Sequence, residues 1–463
     1  MRRGPVVLVA ALVLVGVAAA LAVGGEPEPR VVRQPTGTVA DLFGINEAVS
    51  IPAAREASLD AVARDALLDE RIELVKALGV RHVRVHSASS PRLNATNPER
   101  VGADEFLARL LSAGLEPLVM IGPWPGNAPA AKTDRYVPND LEAYARWVTT
   151  TVERYDGDGV DDAPGIGKGV RTWEIDNEPD LHHTTPPRGS KVMVEDFESP
   201  DDYSKVALVT LDAILAADPA AVVLPAGLFA PAGPRTATYA DALWGIPAFS
   251  ERFQATNTHA YPRDAAAVWD GEDRLEGLAP DRARWMTEVS IGDELGEANQ
   301  ARFLATLYLD ALARGVERVY WHSLREPPLR AAARPGPHPS EGNHLYTGEP
   351  AHPKLAGLTM QRMLALWGEV GRSDVDALAA SGGRALRIGD DVVVWGGVVD
   401  VRVSATAREL ASERLVPDAS DGAAIAAVGP VWTVGPVAVQ DAHVHIDATS
   451  GPVRVVAAFP RVR

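Results

Sequence analysis

From about residue 38 to 370, short runs rich in β-branched residues alternate with longer stretches whose apolar positions recur every three or four residues. That alternation is the pattern of successive parallel βα units. Strands are predicted over 39–46, 80–85, 118–121, 170–176, 221–224, 253–259, 283–287 and 316–321. Helices are predicted over 59–78, 106–113, 141–155, 203–216 and 301–313. The first helix carries Leu67, Leu68, Ile72, Val75 and Leu78 on one stripe, and Gly79 stops it. Eight strands in this order, over this span, predict an α/β fold of the (β/α)8 TIM-barrel type, with functional residues at the C-terminal ends of the strands. A doubly wound open sheet competes. It usually places a glycine-rich phosphate turn after its first strand, and Phe43-Gly44-Ile45-Asn46 is no such turn.

After Trp367 the rhythm changes to short strands joined by Gly, Asp and Pro turns, predicted over 385–388, 392–395, 398–403, 431–434, 443–446 and 453–459. A small C-terminal all-β, sandwich-like domain over 371–463 is the expectation, following a barrel domain over 26–370. It carries no aromatic cluster of the kind a sugar-binding module would present, so a structural role is expected. Residues 1–25 are different again. Arg2 and Arg3 precede an apolar run, and Ala20-Leu21-Ala22 supplies a small-x-small cleavage pattern. A secretory signal is expected, or an uncleaved membrane anchor, since the run approaches the ~20 residues that span a bilayer. Either places the rest of the chain outside the cytoplasm, secreted or associated with the cell envelope.

Charge narrows the range of partners. The 463-residue chain has a formal charge of −17, which repels nucleic acid and anionic lipid and favours a neutral substrate. It has no cysteine, so disulfides and thiolate metal sites are excluded.

The candidate chemistry centres on Trp173-Glu174-Ile175-Asp176-Asn177-Glu178-Pro179, where the fourth predicted strand runs into a loop. Period-two alternation puts Thr172, Glu174, Asp176 and Glu178 on one face, which must be the barrel interior or its mouth, because the other face is apolar. A second glutamate, in Trp285-Met286-Thr287-Glu288-Val289, closes the seventh predicted strand. Strands four and seven oppose each other in a barrel of eight, so Glu178 and Glu288 can converge. Paired carboxyls of this kind serve glycoside hydrolysis, one protonating the leaving oxygen and the other attacking the anomeric carbon or activating water.

The span 38–370 resembles glycoside hydrolase clan A, the retaining cellulase and β-xylosidase superfamily, and is closest in pattern to families 39 and 5. The resemblance implies that Glu178 is the acid/base, Asn177 the asparagine that holds the sugar 2-hydroxyl, and Glu288 the nucleophile. It also implies that Arg84, in Arg81-His82-Val83-Arg84-Val85, supports the nucleophile. His259 and Tyr261, in Thr258-His259-Ala260-Tyr261, match a strand-six His-x-Tyr pair, and Trp321 matches the tryptophan flooring the reactive subsite. The implied activity is retaining hydrolysis of O-glycosidic bonds in a β-linked oligo- or polysaccharide, without a cofactor. Transglycosylation by the same residues, or a silent carbohydrate-binding barrel, are the alternatives. Trp124, just past the third strand, is a candidate sugar platform. His182-His183 lacks a carboxylate at ligand spacing, so no metal is expected.

Overall fold

The computed structural model describes residues 35–46, 61–85, 103–122, 137–180, 199–229, 231–233, 236–262, 265–325, 342–348, 350–402, 410–419, 421–422, 432–440 and 443–457. The N-terminal segment, Trp124 and His182-His183 lie outside them. Among the described residues no helix is long and apolar enough to cross a membrane.

Parallel strands β1 (Phe43–Asn46), β2 (His82–Val85), β3 (Glu116–Ile121), β4 (Thr172–Ile175), β5 (Val222–Pro225), β6 (Leu228–Phe229), β7 (Ala255–Ala260), β8 (Ala283–Val289) and β9 (Arg318–His322) follow the spatial order β5-β4-β3-β2-β1-β9-β8-β7-β6. β5 and β6 occupy the two ends of that order and are separated only by Ala226 and Gly227. They are two halves of one interrupted strand, so the architecture is the expected barrel of eight. Between strands run α1 (Ala61–Leu78), α2 (Ala103–Ser112), α3 (Leu141–Glu153), α4 (Pro200–Ala217), α5 (Ala237–Trp244), α6 (Asp270–Leu278), α7 (Glu297–Arg314) and, after β9, α8 (Leu355–Trp367). Local signals explain their limits. Ser199 caps α4 by accepting the Asp202 N–H and is followed by Pro200 at the first helical position. Gly315, at φ 67°, ends α7 in a left-handed turn.

The barrel interior is set by one close packing. Gly44 pairs with Tyr320 across β1 and β9, and a Cβ on Gly44 would stand 2.5 Å from the Tyr320 ring. Glycine there lets Tyr320 turn inward, beside Leu118, Leu224 and Trp285 at the barrel floor. Alternation from that point fixes which residues of β1 and β9 face inward.

The described residues between 375 and 457 form two antiparallel sheets, as expected of the C-terminal region. One has six strands in the order Val375–Leu378, Arg384–Ile388, Asp391–Trp395, Val453–Ala457, Leu410–Arg414, Val434–Val437. The other has four: Ala380–Ser381, Val398–Arg402, His443–Asp447, Val439–Gln440. Ala385, Val394, Val399, Val401, Val444 and Ile446 fill the space between the sheets. The opposite face of the larger sheet sends Leu386, Ile388, Val393 and Trp395 into the same core as the barrel helices. Trp395 is 2% exposed, and its indole N–H donates to Asp310 of α7 at 2.8 Å. Asp310 also receives the Trp269 N–H at 3.2 Å and pairs with Arg384. Trp395→Ala is therefore expected to cost about 3–5 kcal/mol and to lower the temperature of a single melting transition. An unchanged melting temperature in calorimetry would show the β sheets to be energetically independent of the barrel.

Candidate active site

Glu288, next to last in β8, is aimed into the site by a fault in the ladder. The β7–β8 register shifts between Thr258 and His259, so His259 pairs with Glu288 and Thr287 is an extra residue. A bulge of this kind re-aims side chains, and here both Thr287 and Glu288 make contacts inside the barrel. Glu178 reaches the site by another irregularity. β4 stops at Ile175, and Asp176 (φ 66°) and Glu178 (φ 47°) adopt left-handed backbone conformations that non-glycine residues rarely take. Those two residues turn Asn177 toward Arg84 and carry Glu178 back over the barrel mouth.

Arg84 lies at the centre, with no exposed side-chain surface. Its Nε donates to Glu174 Oε2 at 2.5 Å, Nη1 to Glu288 Oε1 at 2.6 Å and Nη2 to Asn177 Oδ1 at 2.9 Å. Burial alone would lower the guanidinium pKa, but the carboxylates of Glu174 and Glu288 outweigh it and raise it. The Tyr261 hydroxyl donates to the other oxygen of Glu288 at 2.5 Å. Two donors thus converge on Glu288, and both favour its charged form.

Glu178 is held from the other side. Its Oε1 lies 2.8 Å from His259 Nδ1, and His259 Nε2 lies 2.9 Å from the Thr287 hydroxyl. The Thr287 hydroxyl reaches Glu174 Oε1 at 3.0 Å, and Asn257 Nδ2 donates to the same oxygen at 2.9 Å. Hydrogen bonds therefore run without a gap from Glu178 through His259, Thr287, Glu174 and Arg84 to Glu288. Burial pushes the His259 pKa down, yet the carboxylates of Glu288 and Glu178 raise it overall. One carboxyl oxygen of Glu178, one of Glu288 and a His259 nitrogen lie within 4.8 Å of one another. Both glutamates keep a small opening to solvent, 12% for the Glu178 side chain and 11% for Glu288. Such a triplet has the donor types for a cation. Here Arg84 and Tyr261 already serve Glu288, and both His259 nitrogens are engaged within the network.

The sequence-predicted residues divide clearly. Glu178, Glu288, Asn177, Arg84, His259 and Tyr261 come together. Arg84 and His259 are buried, with their polar atoms turned to the carboxyls of Glu288 and Glu178. Trp321 does not line the site. It pairs with the outward-facing Ile45, packs on Phe303 of α7 and donates its indole N–H to Asn343 O at 2.8 Å. The inward position belongs to His322, whose ring stands edge-on to Tyr261 at 5.8 Å. The phase set by Gly44 and Tyr320 is the reason. Trp124 falls outside the described residues.

Sequence reasoning gave no role to Asn257, Thr287 or His322, and placed Glu174 inside without a partner. Counting back two positions from His259 would have found Asn257. Thr287 depends on the bulge and had no such signal.

No protein-family model and no curated protein matches the chain. Solved structures do, through their fold. A family 39 glycoside hydrolase from Bacteroides cellulosilyticus WH2 superposes with a TM-score of 0.55 at 14% identity, over 92% of this chain and 81% of that one. A family 39 β-xylosidase from Caulobacter crescentus does so with a TM-score of 0.55 at 17% identity, over 92% and 98%. The family 51 α-L-arabinofuranosidase AbfB from Bifidobacterium longum gives 0.57 at 13% identity, over 92% and 97%. These glycoside hydrolases share the fold of this chain, the (β/α)8 barrel expected from the sequence.

Proposed function

We propose that this protein is a retaining glycoside hydrolase that cleaves O-glycosidic bonds in a β-linked oligo- or polysaccharide outside the cytoplasm. The observation that carries the reading is that one carboxyl oxygen of Glu178 and one of Glu288 lie within 4.8 Å of each other at the barrel mouth. A pair about 5–5.5 Å apart leaves no room for an interposed water and suits double displacement, whereas inversion needs about 6.5–9.5 Å.

In the first step Glu178, protonated, gives its proton to the leaving oxygen as Glu288 attacks the anomeric carbon. The glycosidic C–O bond breaks as the glycosyl–Glu288 ester forms. In the second step Glu178, now ionised, takes a proton from water, whose oxygen attacks the same carbon and releases Glu288. Arg84 and Tyr261 keep Glu288 charged between turnovers. His259, held by Thr287, fixes the Glu178 carboxyl where both proton transfers take place. Asn177, anchored on Arg84 through its Oδ1, has its amide N–H groups available for a sugar hydroxyl. Residues 1–25 are the export signal or anchor in this reading.

The test is a panel of aryl β-glycosides and aryl α-L-arabinofuranosides, with NMR of the first-formed sugar. Turnover with the substrate's own anomeric configuration is expected. An inverted product would refute the nucleophile, and no turnover on any member would favour a carbohydrate-binding barrel.

A further inference from the structure

Asp180 lies two residues beyond Glu178, outside the network just described, and is completely buried. Its Oδ1 accepts the backbone N–H of Phe229 at 2.9 Å, and its Oδ2 has no hydrogen-bond partner among the described residues. Phe229 belongs to β6, the short half of the interrupted strand, and pairs in register with His259. Two residues earlier, the Gly227 carbonyl accepts the Glu178 N–H at 3.2 Å, and the Gly227 N–H donates to Glu174. Gly227 must be glycine, since a Cβ there would stand 2.1 Å from His259 Nε2. Residues 178–180 are thus fastened to residues 227–229 at both ends, directly beside the imidazole that touches Glu178.

A buried carboxyl is a costly way to accept one backbone hydrogen bond. Burial, with the neighbouring Glu178 charge adding to it, pushes Asp180 up to about 7. Below that pH the group sits as a neutral acid, facing Glu178, His259 and Tyr239.

We propose that Asp180 is a positioning residue for Glu178, its buried carboxyl clamping the Glu178 loop to the interrupted fifth barrel strand so that the proton is delivered at the right place. The inference rests on the glycosidase reading above. Without the clamp the Gly227 carbonyl is the one hydrogen-bond partner among the described residues that still ties 178–180 to 227–229, and a displacement of about 1 Å at a proton donor costs on the order of 100-fold in rate. The loss falls on substrates whose leaving group needs the proton and spares those that leave unaided.

The experiment compares wild type, Asp180→Ala, Asp180→Asn and Glu178→Gln on aryl glycosides with poor and with activated leaving groups. Asp180→Ala is expected to lose on the order of 100-fold in kcat/KM on the poor leaving groups and only about 3-fold on the activated ones, a weaker copy of Glu178→Gln. Asp180→Asn, neutral and of the same shape, should keep its acceptor and the wild-type leaving-group pattern. If the alanine variant does not fold, Asp180→Ser, too short to reach Phe229, takes its place. Equal losses on both classes, or an asparagine variant as impaired as alanine, would overturn the positioning role alone. A wild type inactive on every glycoside would overturn the glycosidase reading and this inference with it.

Discussion

Glu288→Ala is expected to lower turnover of aryl glycosides by on the order of 10⁴-fold or more, and added azide to restore part of it. The structure says why rescue should work. The Glu288 carboxylate lies between Arg84 Nη1 at 2.6 Å and the Tyr261 hydroxyl at 2.5 Å. Truncation leaves a small cavity with both donors still aimed into it, a ready site for a small anion. Azide seated there attacks the anomeric carbon from the face that the carboxylate uses. The glycosyl azide has inverted configuration and stops, since nothing then displaces it. The same change in Glu178 would give the opposite stereochemistry, because azide would replace water in the second step. The variant should stay folded, as Arg84 retains Glu174 and Asn177. Full activity in Glu288→Ala, or a rescued product of retained configuration, would remove Glu288 from its role.

Much of this site was legible in the sequence because barrel chemistry is tied to strand ends, and strand ends are marked by hydrophobic runs that stop. Glu178 and Glu288 were found by that logic, and Arg84 and Tyr261 by their place in motifs resembling clan A. What period-two alternation could not give is where the period fails. Left-handed residues at 176 and 178 bring Asn177 and Glu178 to the same site, although they are neighbours in sequence. The bulge in β8 does the same for Thr287 and Glu288. Trp321 was misplaced for a related reason. A five-residue strand with aromatic residues at adjacent positions has two possible phases, and only the packing of Tyr320 over Gly44, far apart in sequence, selects one. The break at Ala226–Gly227, and with it the seat of Asp180, is equally a tertiary matter. Glycine there answers to His259, which the local sequence does not contain.

Arg84→Met should be the most damaging single change to stability in the barrel. A methionine fills much of the same volume, so the effect is chiefly that of charge. Glu174 is completely buried and Glu288 nearly so, and without the guanidinium both are left as uncompensated carboxylates. Removing one partner from a buried ion pair costs about 3–5 kcal/mol. The sign of its pH dependence follows from linkage. In the folded variant the cheapest response is to hold a proton on a stranded acid, whereas the glutamates of the unfolded chain release theirs near the ordinary value of about 4.3. Above that value the unfolded chain has released protons that the folded variant still holds, so its stability falls as pH rises. The gap in melting temperature between variant and wild type should therefore be smallest near pH 5 and widen toward pH 8. Adding Glu174→Gln to Arg84→Met should recover part of the loss, because one of the two stranded charges is gone while Asn257 and Thr287 still have an oxygen to bond. Activity would not return, since Glu288 would still lack the cation that keeps it ionised. A gap independent of pH, or a double variant no more stable than the single one, would mean that Arg84 stabilises the barrel by packing and not by neutralising the two acids.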